Sequence, residues 1–228
     1  MKRLSLFGLL AGFCLAIVPA ALNAGPFQTV PFEPQPRPEL YVFGYGGIDW
    51  MNDFHGKSET GNPNLNLDVQ NGWGAGGGLG LRSDWLGGTR FEVEGLYRAN
   101  NVKHVQVNGL DFPSDGDVSV TGVSVNFIKE LVLGDFYPYV GVGIGWGDVN
   151  VNAPFAFGNV DDDASSFLWQ VIAGLDFPWT KKTSLFMEYR FMPVTSFGLT
   201  TDVASVIRNV NFDDLTNHSL FFGMRYAF

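Results

Sequence analysis

Residues 89–98 read TRFEVEGLYR. Phe91, Val93, Gly95 and Tyr97 fall on one face of an extended chain, and Arg90, Glu92, Glu94 and Arg98 on the other, because successive side chains of a strand point to opposite sides. One face is therefore apolar or small and the other fully charged. The fold depends on which face is turned inward.

The same two-residue period recurs in eight segments, at 40–50, 72–82, 89–99, 118–129, 136–147, 166–177, 184–194 and 218–228. In the second, Trp73, Ala75, Leu79 and Leu81 alternate with Gly74, Gly76, Gly78, Gly80 and Arg82. The fifth sets Val140, Val142, Ile144 and Trp146 against Gly141, Gly143, Gly145 and Gly147. The seventh sets Leu185, Met187, Tyr189 and Phe191 against Glu188 and Arg190. Alternation alone also fits a soluble sandwich, but the sorting does not. A soluble sheet carries few glycines, which weaken strands, whereas here glycines share a face with the charges. Apolar outside with polar or small inside is the pattern of a lipid-facing barrel. In the fourth segment Val118 and Val120 are out of phase with Val123, Val125 and Phe127, which predicts a bulge between them.

The connections follow the same logic. Those containing SDWLGG, LVLGD and PWTKKT are short, while the gaps near 51–71, 100–117, 148–165 and 195–217 are long and polar. Short turns alternating with long surface loops are expected of an outer-membrane barrel. The tryptophans sit near predicted strand ends: Trp50, Trp73, Trp146 and Trp169 toward the long loops, Trp85 and Trp179 toward the short turns. Amphipathic rings favour the headgroup level, so two interface belts are predicted.

The N-terminus supplies the export signal such a protein needs. Lys2 and Arg3 precede an apolar stretch from Leu4 to Val18, and Ala20, Ala21 and Ala24 end it, predicting a signal peptide over 1–24. Cys14 falls inside it behind Phe13, where a lipid-attachment signal needs a small residue. The closely spaced prolines of 25–38 predict an extended periplasmic leader, and 39–228 is the barrel. Removing Lys2 and Arg3 takes the formal charge from −9 to −11. A net acidic chain argues against nucleic-acid binding, which needs basic patches.

The last segment, HSLFFGMRYAF, places Leu220, Phe222, Met224, Tyr226 and Phe228 on one apolar face ending in a terminal aromatic. With PYVGVGIGW at 138–146, RFEVEGLYR at 90–98 and MEYRF at 187–191, it resembles the OmpA-like, opacity-type outer membrane protein β-barrel family. The resemblance covers 39–228. It implies an all-β, eight-stranded, antiparallel up-and-down transmembrane barrel, monomeric, set in outer-membrane lipid of a Gram-negative-type cell. It also implies that the C-terminal face is an assembly signal read by the barrel-assembly machinery. The family includes structural barrels, adhesins and surface antigens, so the expected role is envelope integrity or loop-borne binding of a host or cell-surface ligand. The chain stops at Phe228, so no separate peptidoglycan-binding domain of the full-length OmpA kind is expected.

The inward charged set is Asp49, Arg82, Arg90, Glu92, Glu94, Arg98, Asp176, Glu188, Arg190 and Arg225, with Asn126 and Gln170. Paired carboxylates suit acid–base chemistry, but an eight-stranded barrel has room inside only for side chains. An ion-pair core with a filled polar interior is therefore predicted, with inward glycines making room for Arg and Glu. Consecutive antiparallel strands should bring Glu188 within reach of Arg225, with Arg190 sharing the carboxylate and Glu92 or Glu94 as the alternative partner. A narrow, filled interior argues against the alternative of a small porin-like channel. A lipid A-modifying enzyme is the further alternative. His218 and Ser219 are adjacent, so they face opposite sides of a strand and do not pair as base and nucleophile; His55 and His104 lie in or beside long loops. Asp148 and Asp161, Asp162 and Asp163 lack the spacing of a calcium loop, and the glycines at 74–80 are followed by neither Lys-Ser/Thr nor a helix, as a phosphate loop requires. No catalytic residue, metal site or cofactor is expected.

Overall fold

The computed structural model describes residues 40–52, 54–58, 64–83, 87–131, 137–156, 158–195, 197–203, 206–212 and 215–228. The predicted signal peptide, leader and Trp85 lie outside the described residues. The elements are all strands: β1 (Leu40–Met51), β2 (Phe54–Ser58), β3 (Asn64–Val69), β4 (Gly72–Ser83), β5 (Thr89–Val107), β6 (Leu110–Glu130), β7 (Tyr137–Phe155), β8 (Gly158–Pro178), β9 (Thr183–Val194), β10 (Phe197–Val203), β11 (Val206–Phe212) and β12 (Leu215–Ala227).

Eight of them close a ring by antiparallel pairing in the order β1–β4–β5–β6–β7–β8–β9–β12, and β12 returns to β1 from Tyr41↔Ala227 to Met51↔Asn217. These are the eight segments of the sequence pattern. The remaining four continue the wall upward. β2 pairs with β3 and β11, β3 with β5, and β10 with β11 and β8. A second ring, β2–β3–β5–β6–β7–β8–β10–β11, is thereby stacked on the first. Backbone bonds carry the wall across the breaks: Gln70 N–H donates to Asn101 O, and Thr195 N–H to Phe167 O.

This corrects the expectation of long loops at 51–71, 100–117, 148–165 and 195–217. Most of their described residues are strand. β6 and β8 are each 21 residues long. At about 3.3 Å per residue and a tilt of about 40°, the wall stands about 50 Å tall, against an apolar band of about 25 Å in such barrels. Hairpin tips are correspondingly tight. Asn108 and Gly109 take φ of +52° and +82° between β5 and β6, the Asn-Gly turn whose twist matches a hairpin.

The predicted bulge between Val120 and Val123 is absent. β6 pairs with β7 in unbroken register from Asp117↔Asn152 to Glu130↔Tyr139. Val118, Val120, Ser124, Asn126 and Ile128 all point inward and are buried, while Val123 and Val125 are exposed on the outside. The phase never changes; the polarity of the inside does. The register shift that β6 does carry lies higher, opposite Val102 and His104 and beside Pro113, where a residue without an N–H interrupts the ladder.

The outer surface follows suit. In the lower ring it is apolar: Leu79, Val93, Val123, Ile144 and Phe222 are each more than half exposed. Above Trp73, Trp146 and Trp169 it turns polar, with Asn101, Asp117, Asp148, Asn150, Asp161 and Asp163 exposed. Trp50 is half-buried at that level, and Trp179 is exposed on the opposite turn.

Candidate functional site

Every charged residue of the expected inward set lies inside the lower ring and is at most 9% exposed. Five arginines (Arg82, Arg90, Arg98, Arg190 and Arg225) face six carboxylates: Asp49, Glu92, Glu94, Glu130, Asp176 and Glu188. They stand in tiers. At the lower end Glu130 holds Arg82 at 3.3 Å and Arg90 at 2.7 Å, and Asp176 holds Arg90 and Arg225 at 3.1 Å each. Glu92 accepts from Tyr41 Oη and lies 3.6 Å from Arg225 Nε.

In the middle tier Glu94 accepts from Arg190 Nη1 at 2.7 and 2.8 Å, from Gln170 at 2.7 Å, Ser124 at 2.8 Å and Tyr45 Oη at 3.1 Å. Glu188 holds Arg190 at 2.6 Å, accepts from Tyr139 Oη at 2.8 Å, and lies 3.8 Å from Arg225 Nη2. Arg225 thus touches both Glu188 and the alternative partner Glu92. At the top, Asp49 accepts from Ser219 at 2.6 Å, Asn217 at 2.7 Å and Arg98 at 3.1 Å. Asn100 donates to the carbonyls of Asp49 in β1 and of Gln70 at the break between β3 and β4, satisfying both backbone oxygens.

Above Asp49 the described side chains of the lumen are mostly apolar, which corrects the expectation of a polar interior throughout. Leu67, Val105, Val118, Val120, Val149, Val151, Leu168, Met192, Val194 and Leu215 pack together with little or no exposure. Outside this stretch is water-facing polar surface, so the extension has the apolar-in, polar-out order of a soluble barrel. The order inverts at the tryptophan level because the surroundings change from hydrocarbon to water.

Several interior residues were not legible as such. Glu130 closes the lower tier, and Tyr41, Phe43, Tyr45, Tyr139, Phe186 and Phe221 fill the lumen. Their rings also carry the arginines: Arg225 lies 3.7 Å from the Phe186 centroid, Arg190 4.3 Å from Tyr45 and Arg90 4.6 Å from Tyr139, a favourable placement for guanidinium groups out of water. The signal was parity: Tyr41, Phe43 and Tyr45 share their strand phase with Asp49, Phe186 with Glu188, Phe221 with Arg225, Glu130 with Asn126, and Tyr139 with the inward glycines of β7. Three of the inward glycines serve these rings rather than Arg and Glu. A Cβ at Gly76 would collide with Tyr45, at Gly80 with Tyr41 and at Gly174 with Tyr139.

The histidines are scattered. His218 faces outward and its Nδ1 lies 2.6 Å from Tyr189 Oη, whereas Ser219 points inward to Asp49 and Arg98. His104 sits 3.7 Å from Asp68, both substantially exposed, and His55 is exposed on β2. Asp161, Asp162 and Asp163 belong to β8 rather than a loop, opposite Asn152, Val151 and Asn150. Leu220 is half-buried on the outward face of β12; Phe222, Met224, Tyr226 and the terminal Phe228 are exposed there.

A closed antiparallel ring with a lipid-compatible belt and an ion-paired interior is the architecture of a membrane-spanning β-barrel. The chain belongs to the outer membrane protein beta-barrel domain family, which matches residues 10–228, and its place is the outer membrane. A curated relative from Gluconacetobacter diazotrophicus, described as "Outer membrane protein", is 29% identical over 178 residues, covering 69% of this chain and 44% of the relative. The chain thus spans less than half the length of that relative. Among solved structures it is similar to Neisserial surface protein A, with TM-score 0.48, 16% identity, and 83% of this chain and 97% of that one covered. It is also similar to Ail, the attachment invasion locus protein of Yersinia pestis, with TM-score 0.36, 15% identity, and 82% and 99% covered.

Proposed function

We propose that the protein is a non-enzymatic, non-conducting surface barrel whose working part is the extension above the belt, serving envelope integrity and surface interaction with a cell-surface ligand. The observation behind this reading is the double filling of the lumen. Three tiers of paired charges occupy the lower ring, and a buried apolar layer centred on Val118, Val120, Val149 and Val151 occupies the upper one. An ion entering from above meets an apolar constriction, which resists wetting. The wall itself carries on beyond the belt and presents polar faces to the medium. Planar-bilayer recording should give no large, steady unit conductance. Cells expressing the barrel should bind their target surface, and shortening the β5–β6 or β7–β8 hairpin should reduce that binding. Steady conductance, or binding indifferent to every shortened hairpin, would overturn the reading.

Assembly and export belong to the same proposal. The chain is exported through a cleaved signal over 1–24, works as a monomer, and is inserted by the barrel-assembly machinery through its C-terminal face. Deleting Phe228 should leave secretion intact and block insertion, scored by loss of the heat-modifiable band.

A further inference from the structure

Among the described residues the upper lumen is lined by apolar side chains, whereas the lower end opens into a cavity of about 80 Å³ beside the Trp179–Thr183 turn. Its wall includes Arg82, Arg90 and Arg225 together with Lys181 and Lys182, against two carboxylates, Glu130 and Asp176. The arginines are at least nine-tenths buried. Both carboxylates are already shared, Glu130 between Arg82 and Arg90 and Asp176 between Arg90 and Arg225. A guanidinium offers five N–H donors in a planar fork, and Glu130 and Asp176 take those on Nη1 of Arg90 and Nη1 of Arg225. Arg90 Nη2 is buried without a hydrogen-bond partner, although an unmet buried donor is costly.

The geometry points to a phosphate-binding site in this lower mouth, seating one phosphate group on Arg90 and Arg225 and closing over it with Lys181 and Lys182. Arginine forks match the paired oxygens of a phosphate, and lysines add charge without fixed direction. The level of the site suits a phospholipid headgroup as well as a free phosphate. Phe177 and Leu185 present lipid-facing surface on the same hairpin, and Trp179, 69% exposed at its turn, marks the headgroup zone. The turn is short enough for a headgroup to reach over it.

The test uses the full chain folded in an uncharged maltoside detergent, titrated calorimetrically with inorganic phosphate and, separately, with dihexanoyl-phosphatidylglycerol. One saturable site is expected for at least one probe, weakened tenfold or more in the Lys181→Gln/Lys182→Gln double variant and unchanged in Lys103→Gln on the extension. The double variant alters only exposed side chains, so its folding, read from the heat-modifiable band, should be intact; Arg82→Gln, checked the same way, should weaken binding further. Binding of both probes assigns recognition to the phosphate group itself; binding of the lipid alone assigns the site to a headgroup of the periplasmic leaflet. No saturable binding of either probe to folded protein, leaving water as the occupant, would overturn the proposal. So would binding indifferent to the lysine pair.

Discussion

At the scale of single residues, the interior is a set of buried charges whose stability rests on being paired. Removing one partner of such a pair costs about 3–5 kcal/mol, because the other is left charged and out of water. Glu188→Ala should therefore destabilise the barrel by that amount, measured by urea unfolding from lipid vesicles. Glu188 touches Arg190 at 2.6 Å and Arg225 at 3.8 Å. Double-mutant cycles should accordingly give a larger coupling for Glu188–Arg190 than for Glu188–Arg225; the reverse order would contradict the tiers described. The glycines make a second, independent check. Gly174→Ala drives a methyl group into the Tyr139 ring and should cost about 1–3 kcal/mol as overpacking. Gly95 faces outward with nothing near its Cβ position, so Gly95→Ala should stay within about 0.5 kcal/mol.

At the scale of the strand, one element crosses two solvents. β6 keeps a single phase from Asp117 to Glu130, yet its outward residues run from Asp117 and Ser119 to Val123, Val125 and Phe127. An arginine at an outward position should be tolerated above the tryptophan level and penalised below it. Val123→Arg or Val125→Arg should cost up to about 2–4 kcal/mol, the larger the nearer the bilayer midplane, and Ser119→Arg within about 0.5 kcal/mol, compared by unfolding from vesicles. Equal penalties at 119 and 125 would mean that the inversion does not mark the membrane surface. The strand scale also explains which part of the pattern was legible. The lower ring shows charges and glycines on one face, a combination that soluble sheets avoid. The extension shows Val118, Val120, Val149 and Val151 alternating with Asp, Asn and Ser, which by composition resembles polar loop. Asn108-Gly109 was the local signal that those residues form a hairpin.

At the scale of the whole molecule, β5, β6, β7 and β8 run unbroken through both rings and carry the wall from the belt into the extension. With even strand number and both described chain ends at the lower rim, the extension should face the cell exterior. The barrel over 39–228 has no cysteine, so single cysteines can report sidedness. Asp163→Cys should react with a membrane-impermeant maleimide on intact cells, and Lys182→Cys only after the outer membrane is opened. The opposite pattern would invert the barrel and place the basic mouth outside.

By itself, the sequence determined the number of membrane strands, their inward and outward faces and the charged interior apart from Glu130. Those follow from a period of two and from the high cost of placing charges in hydrocarbon, both local and both readable along the chain. Tertiary structure alone decided how far the wall rises, where the lumen changes from paired charge to apolar packing, and which carboxylate each arginine takes. Those depend on strand stagger and on side chains meeting across the lumen: Arg190 reaches Glu94 over a separation of 96 residues, and Ser219 reaches Asp49 over 170. Contacts at such separations are set by closure of the ring, which no single strand encodes.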